Sequence, residues 1–250
     1  MPVYTKRPHA ESYGQGVGII LLDARAPLIP GDVGNATSYD YPVTFKTVPG
    51  LTTNCCLGGE PGFEEAVVEA ARELERSGVR GLSSDCGFMI QFQEAVADAV
   101  SIPVALSSLL QLPLIARSVA PHRPIGILTA DSVSLTAEML VEYGLEVENP
   151  VVIRGAQDEP EFNAAIMQAG AQGSPSLALD SDGIERECVD VAMKMVADYP
   201  DMGAILIECS VMPPYAKAVQ AATGLPCYDF IDVIDYMEAG TSPKSHTGRY

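Results

Sequence analysis

The sequence predicts an α/β protein with two pseudo-symmetric lobes, each a parallel sheet flanked by helices, and a functional site in the cleft between the lobes. Three observations support this fold class. Short β-branched strands alternate with amphipathic helices, several strands are continuous apolar runs, and the second half repeats the strand spacing of the first. Continuous apolar strands are typical of parallel sheets that helices cover on both faces.

Eight strands are predicted from these runs. In chain order they span residues 17–22, 43–48, 79–84, 102–106, 124–128, 150–154, 203–208 and 226–228. Between the second and third strands, apolar residues recur at helical spacing from Phe63 to Leu74, and Gly78 is a typical residue at the end of a helix. This segment is therefore predicted to be an amphipathic helix.

The predicted strands of the two halves can be matched one to one. The matched pairs are Gly18 and Gly126, Phe45 and Val152, Leu82 and Leu206, and Val104 and Cys227, which lie 108, 107, 124 and 123 residues apart. The change in separation indicates a duplication with one insertion, placed at 158–182. We predict an N-terminal lobe over 1–120, completed by a C-terminal helix at 229–240, a C-terminal lobe over 121–228 and a mobile tail over 241–250.

The composition limits the class of partner. The chain has 33 acidic and 15 basic residues, a formal net charge of −18 and 47% hydrophobic residues. This acidic excess repels phosphate, so a small molecule is expected as the partner, with no nucleic acid and no membrane. The first 16 residues lack the apolar stretch of a secretory signal, and a cytoplasmic location is therefore expected.

Six cysteines are present, at positions 55, 56, 86, 188, 209 and 227, and none forms a Cys-x-x-Cys pair. The spacing of cysteines and histidines predicts no metal site. Cys188 shares a helical face with apolar residues and is predicted to belong to the core, as is Cys227. Cys55 and Cys56 lie in a predicted loop, where they either line a cleft or serve only as packing.

Cys86 and Cys209 are the candidate reactive thiols. They are 123 residues apart, so they hold equivalent positions in the repeat, and each ends a strand after a carboxylate, Asp85 or Glu208. Ligands of parallel α/β sheets bind beyond the carboxyl ends of the strands. The competing interpretation is that the two thiols are packing residues inherited from the duplication.

Two thiols that face each other across a cleft can remove a proton from the carbon next to a carboxylate and return one on the other face. We predict that the backbone N–H groups of Gly87, Phe88, Ser210 and Val211 bind the substrate carboxylate and the charge that develops there. The starts of the following helices are expected to lower the thiol pKa, and nearby carboxylates would oppose this.

Five polar side chains at or after predicted strand ends are further candidates for substrate binding. They are Asp23, Asn54, Ser84, Thr129 and Ser210. The competing interpretation is that these side chains cap helices or turns.

The chain from Gly16 to about Tyr236 resembles the cofactor-independent aspartate/glutamate racemase superfamily. The resemblance rests on an early strand that ends Leu21-Leu22-Asp23, on one cysteine near a third of the chain, and on a late cysteine at a strand end before a helix. It implies that Cys86 and Cys209 are the paired acid and base, that no cofactor is needed, and that the loops after the strands bind substrate.

The sequences around the cysteines differ from those of the amino-acid racemases. Glutamate and aspartate racemases usually have Asn-Thr after the first cysteine, where this chain has Gly87-Phe88, and glutamate racemases have Thr-His where it has Ser210-Val211. The segments Pro30-Gly-Asp-Val-Gly-Asn35 and Asp85-Cys-Gly-Phe-Met-Ile-Gln-Phe-Gln93 are more similar to the algal dimethylsulfoniopropionate lyases and to unassigned bacterial relatives.

The activity expected on this basis is that of a racemase or isomerase acting on a small carboxylate, with the two-sided site as the reason for preferring it. The first alternative is a carbon–sulfur lyase that works by β-elimination. The second is a non-catalytic protein that binds a small ligand. A homo-oligomer is expected in each case.

Overall fold

The computed structural model describes residues 3–168, 178–246 and 248. Within these residues all eight predicted strands are confirmed. They are β1 (Val17–Leu21), β2 (Val43–Thr47), β3 (Gly81–Ser84), β4 (Val104–Ala105), β5 (Ile125–Thr129), β6 (Val151–Gly155), β7 (Ala204–Ile207) and β8 (Cys227–Tyr228). Most are shorter than predicted, and β4 and β8 have two residues each.

The strands form two four-stranded sheets of identical topology. The first has the order β2-β1-β3-β4 and the second the order β6-β5-β7-β8. Every pair of neighbouring strands is parallel. The predicted fold class, two similar parallel α/β lobes, is therefore confirmed.

The strand register corrects the alignment of the repeat. Gly18 of β1 pairs with Leu82, whereas Gly126 of β5 pairs with Ile205, so the equivalent of Leu82 is Ile205, at 205 − 82 = 123 residues. The sequence-based match of Leu82 to Leu206 was wrong by one residue. The β2 and β6 match was also wrong by one, because the register gives 152 − 44 = 108. Strand positions can be found in one sequence, but their register depends on pairing.

Helices cover both sheets. In the described residues the α-helices are α1 (Thr53–Leu57), α2 (Glu64–Ser77), α3 (Gln93–Ala99), α4 (Leu112–Ser118), α5 (Ala137–Glu142), α6 (Pro160–Phe162), α7 (Ser181–Asp198), α8 (Ala216–Thr223) and α9 (Phe230–Thr241). Helix α2 is the predicted amphipathic helix, and it ends at Gly78, whose φ of 99° is left-handed. Over the described ranges, no helix is long and apolar enough to cross a membrane.

Short helices of other types complete the two lobes. The 3₁₀ helices are Ala36–Ser38, Gly87–Phe92, Ser108–Gln111 and Pro213–Tyr215, and Asn163–Met167 is a π-helix. The offset between the lobes rises from 108 to 123 between β6 and β7, so the 15 extra residues lie there. Within the predicted insertion at 158–182, residues 169–177 lie outside the described residues.

Helix α9 returns to the first lobe. Its buried Phe230, Val233, Ile234 and Met237 share a core cluster with residues of β1 such as Ile19. Asp229 caps the helix, where its side chain accepts hydrogen bonds from the N–H groups of 231 and 232. The helix extends one residue into the predicted tail at 241–250. Residues 247, 249 and 250 of that tail are outside the described part. The lobe boundaries stay a prediction.

Candidate active site

A cavity of about 330 Å³ lies between the two lobes. Its walls come mainly from the segments that follow β1, β3, β5 and β7, the four central strands of the two sheets, together with Thr47 of β2 and Thr53 and Leu57 of α1. Ile166 and Met167, from the longer connection of the second lobe, close one side. The carboxyl ends of parallel strands are where such folds bind ligands, so this cavity is the candidate active site.

Cys86 and Cys209 both line this cavity. Cys86 follows β3 and directly precedes the 3₁₀ helix Gly87–Phe92, and Cys209 follows β7. The two residues are 9% and 8% exposed, and they belong to different core clusters. The two thiols therefore face one cavity from the two lobes, and their chemical role stays a prediction.

Both thiols have a raised pKa, which differs from the lowering expected at a helix start. For Cys86 the first cause is a hydrogen bond with the Cys56 thiol, followed by burial and by the charges of Cys56, Glu208 and Asp85. For Cys209 the first causes are burial and the charge of Glu208, and the N–H of Val211, directed at the sulfur, opposes them. Both thiols are therefore neutral at neutral pH.

Four carboxyl groups line the same cavity, and burial raises the pKa of three of them, Asp32, Asp85 and Glu208. The pKa of Asp32 is raised to about 7, that of Asp85 to about 8 and that of Glu208 to about 7. Hydrogen bonds oppose the shift: the N–H of Gly34 donates to Asp32 Oδ1 and that of Leu22 to Asp85 Oδ1, both at 2.8 Å. These three carboxyl groups are therefore partly protonated near neutral pH.

Glu208 reaches across the cleft from the second lobe to the first. Thr129 Oγ1 donates to its Oε2 at 2.7 Å, but its buried Oε1 has no partner within the described residues. A Cβ atom on Gly87 would lie 1.8 Å from Oε1, so only glycine fits at this position. The close approach places an unpaired carboxyl oxygen between the two cysteine-bearing segments.

Further hydrogen bonds join the lobes beside the thiols. Ser210 Oγ donates to the backbone carbonyl of Asp85, and Ser108 Oγ donates to that of Glu208 at 3.1 Å. The hydroxyl proton of Ser210 is therefore already used within the protein. These bonds fix the distance between the two lobes at the site.

The structure brings most of the predicted binding residues to the cavity. Asp23, Gly87, Phe88, Ser210 and Val211 line it. Asp23 lies at the rim, where its Oδ2 accepts a hydrogen bond from the N–H of Gly50 at 2.9 Å.

Asn54, Ser84 and Thr129 do not line the cavity. Asn54 is exposed on helix α1. Ser84 and Thr129 are the last residues of strands and are fully buried inside the sheets. The Ser84 hydroxyl donates to the carbonyl of Leu106 at 2.6 Å, and Thr129 acts on the site only through Glu208.

Two charged residues of the cavity wall, Arg25 and Asp32, were not predicted from the sequence. Arg25 is the one basic residue among the described lining residues, and it forms no ion pair there. Asp32 lies in the segment 30–35, which had been noted only for its similarity to the lyases. The signal for Arg25 was its position, two residues after Asp23 at a strand end, in a chain with few basic residues.

The remaining four cysteines are free thiols that are buried or half-buried. Cys188 is fully buried in α7, and Cys227 is packed against the core of the second lobe, as predicted. Neither Cys55 nor Cys56 lines the cavity. Cys56 is nevertheless next to Cys86, and the side chain of Gln91 holds it by donating to its carbonyl at 3.1 Å.

Comparisons with known proteins identify relatives of this chain. No protein-family model matches the chain. The dimethylsulfoniopropionate lyase of Durusdinium sp. clade D is 36% identical over 231 residues, which cover 90% of this chain and 74% of that protein. Dimethylsulfoniopropionate lyase 7 of Emiliania huxleyi is 37% identical over 225 residues, which cover 86% of this chain and 64% of that protein.

Solved structures share the fold at low sequence identity. A mutant of arylmalonate decarboxylase with sulfate matches with a TM-score of 0.63 and 18% identity, covering 93% of this chain and 97% of that one. Allantoin racemase from Klebsiella pneumoniae also has a TM-score of 0.63, with 14% identity and coverage of 94% and 97%. The chain therefore belongs to the family of the dimethylsulfoniopropionate lyases, and it shares its fold with arylmalonate decarboxylase and allantoin racemase.

Proposed function

We propose that this protein is a carbon–sulfur lyase that acts on a small sulfonium carboxylate of the dimethylsulfoniopropionate type. The observation that carries the proposal is the 36% identity to such a lyase over 90% of the chain. In the β-elimination, a base removes a proton from the carbon next to the carboxylate, and that electron pair forms the double bond. The carbon–sulfur bond breaks, and the sulfide leaves with its electrons as a neutral molecule.

We assign the role of base to Cys209. The N–H of Val211 is directed at its sulfur and opposes the rise of its pKa, whereas the groups that act on Cys86 all raise the pKa of Cys86. The thiolate is the reactive form of a cysteine, and a backbone donor at the sulfur stabilises it. Cys86 faces the same cavity from the other lobe and is assigned to the acid or binding role.

Negative charge develops on the substrate carboxylate during proton removal, and two groups are placed to stabilise it. Arg25 stands at the cavity with no competing ion pair in the described chain. The first N–H groups of the helix Gly87–Phe92 have no partner within that helix and line the same space. Donors fixed before the reaction stabilise such charge efficiently.

Racemisation or isomerisation of a small acid is the second candidate. The observation in its favour is that Cys86 and Cys209 stand at equivalent positions of the two lobes and line one cavity. Proton transfer on two faces needs two such groups.

One assay distinguishes the candidates. The purified protein is given dimethylsulfoniopropionate in deuterated water, and the release of dimethyl sulfide and acrylate is followed by gas chromatography and NMR. Release of both products, lost in Cys209→Ser and kept in the control Cys227→Ser, supports the lyase. Deuterium exchange or inversion of a chiral carboxylate with no sulfide released supports the racemase instead.

A further inference from the structure

The unpartnered carboxyl oxygen of Glu208 calls for an explanation, because buried polar atoms in proteins nearly always have a hydrogen-bond partner. Oε1 is buried and has none, although Oε2 of the same group is held by Thr129. Glu208 also lines the cavity, at Gly87. A buried carboxyl oxygen without a donor is costly, and a cationic ligand bound in the cavity would offset that cost.

The charges around Glu208 indicate which ligand. Asp32 and Asp85 line the same cavity, and among its described lining residues Arg25 is the single basic side chain. No group of three or more histidine, cysteine or acidic side chains in the described ranges has the arrangement of metal ligands. The cavity therefore favours an organic cation at its acidic side and a carboxylate near Arg25.

We propose that Glu208, supported by Asp32 and Asp85, forms the subsite for the cationic group of the substrate and so determines specificity for onium carboxylates. The proposal rests on the proposed function, in which the substrate carries a sulfonium group. A sulfonium or quaternary ammonium group has no N–H donor, and it contacts its partner through polarised methyl groups. A carboxyl oxygen that the protein leaves without a donor matches such a group.

The position of Glu208 also gives the subsite a kinetic signature. A carboxylate beside the onium group stabilises the bound substrate, but the positive charge disappears as the sulfide leaves. Such a contact is stronger in the ground state than in the transition state, and it lowers KM without raising kcat. Loss of the carboxylate is therefore expected to raise KM while kcat falls little or rises.

A matched pair of ligands tests the subsite without turnover. 3-(Trimethylammonio)propanoate carries the onium charge, and 4,4-dimethylpentanoate has the same shape with a neutral carbon in place of nitrogen. Calorimetry on the wild-type protein is expected to show the onium ligand binding about tenfold or more tightly, as for one close charge pair in a partly buried site. In Glu208→Gln, which keeps an acceptor for Thr129, this ratio should fall to near one.

The control is Asp131→Asn, which removes a charge that acts on Glu208 but does not line the cavity. This variant should keep the preference. Equal binding of the two ligands by the wild type, binding of neither, an unchanged ratio in Glu208→Gln, or an equal loss in Asp131→Asn would each overturn the subsite. Thermal unfolding of Glu208→Gln checks that the variant is folded.

The outcome is separable from that of the proposed function. Onium preference that depends on Glu208, in a protein that releases no sulfide, would refute the lyase and leave the subsite in place. Sulfide release without onium preference would do the reverse.

Discussion

The two half-sites hold equivalent positions after β3 and β7 but differ in the contacts of their side chains. They are Asp85-Cys86-Gly87 in the first lobe and Glu208-Cys209-Ser210 in the second. Asp85 accepts a hydrogen bond from Leu22 within its own lobe, whereas Glu208, one methylene longer, crosses to the other lobe. Cys86 has a second thiol beside it, and Cys209 has a backbone N–H. A duplicated fold thus supplies two equivalent positions, and small changes in side chains give each cysteine different surroundings.

The largest effect is expected when each thiol is removed in turn, which tests the difference between the two half-sites. We expect Cys209→Ser to lower kcat for sulfide release by about 10³-fold, because a general base of this kind is worth roughly 10²–10⁴-fold. Cys86→Ser should lower it by about tenfold to a hundredfold, since its role is secondary. Rates from headspace gas chromatography decide the matter. Equal losses in the two variants would favour a symmetric, racemase-type mechanism.

Gly87 and Ser210 occupy equivalent positions, 210 − 87 = 123 residues apart, and their exchange for alanine should have unequal effects. Gly87→Ala forces a methyl group into the Glu208 carboxyl group, and such overpacking costs about 1–3 kcal/mol of unfolding free energy. The activity should fall with it. Urea unfolding measures the loss, with Gly240→Ala as the control because a Cβ there meets no atom within 4 Å. A Gly87→Ala variant as stable as the control would contradict the contact.

The buried carboxyl groups make the stability depend on pH. The pKa values of Asp32, Asp85 and Glu208 are raised from 3.8, 3.8 and 4.5 to about 7, 8 and 7, so between these limits the folded protein binds more protons than the unfolded chain. Stability is therefore expected to decrease as the pH rises from about 5 to 8.

Thermal unfolding at several pH values in this range measures the effect. Glu208→Gln should flatten the slope, because it removes one of the three buried carboxyl groups. Asp229, whose pKa burial also raises to about 7, contributes to the residual slope from outside the cavity. A melting temperature that rises with pH in the wild type would show that the carboxyl groups are not buried as described.

The smallest effect is expected at the serine contacts between the lobes. Ser210→Ala removes the bond to the Asp85 carbonyl and should cost about 1 kcal/mol, the usual net value of one hydrogen bond. Ser108→Ala, which loses the bond to the Glu208 carbonyl, is the matched case from the other lobe. Urea unfolding gives both values. No change in either variant would mean that water replaces these bonds without loss.

Much of the fold could be predicted, because apolar runs indicate the strands and the internal repeat indicates two similar lobes. The strands and α2 follow from periodicity alone, and the matched cysteines follow from the repeat. The one-residue error in register arose because pairing depends on contacts between distant segments.

The errors in the site have a similar origin. Thr129 was predicted to follow a strand, but it is the last residue of β5. Successive side chains of a strand point to opposite faces of the sheet, so an error of one residue changes where a side chain lies. Arg25 and Asp32 lie in an irregular segment after β1, whose path no periodic pattern describes. Glu208 was recognised as a neighbour of Cys209, but its reach to Gly87 depends on how the lobes dock.

The return of α9 to the first lobe has a consequence for synthesis on the ribosome. The face of β1 that carries Val17 and Ile19 is covered by Phe230 and Ile234, residues made more than 200 positions later. This apolar face of the first lobe therefore stays exposed while the second lobe is translated. Contacts between residues so far apart in sequence also form slowly. This protein is expected to need chaperone protection during translation more than a chain whose lobes are each complete in sequence.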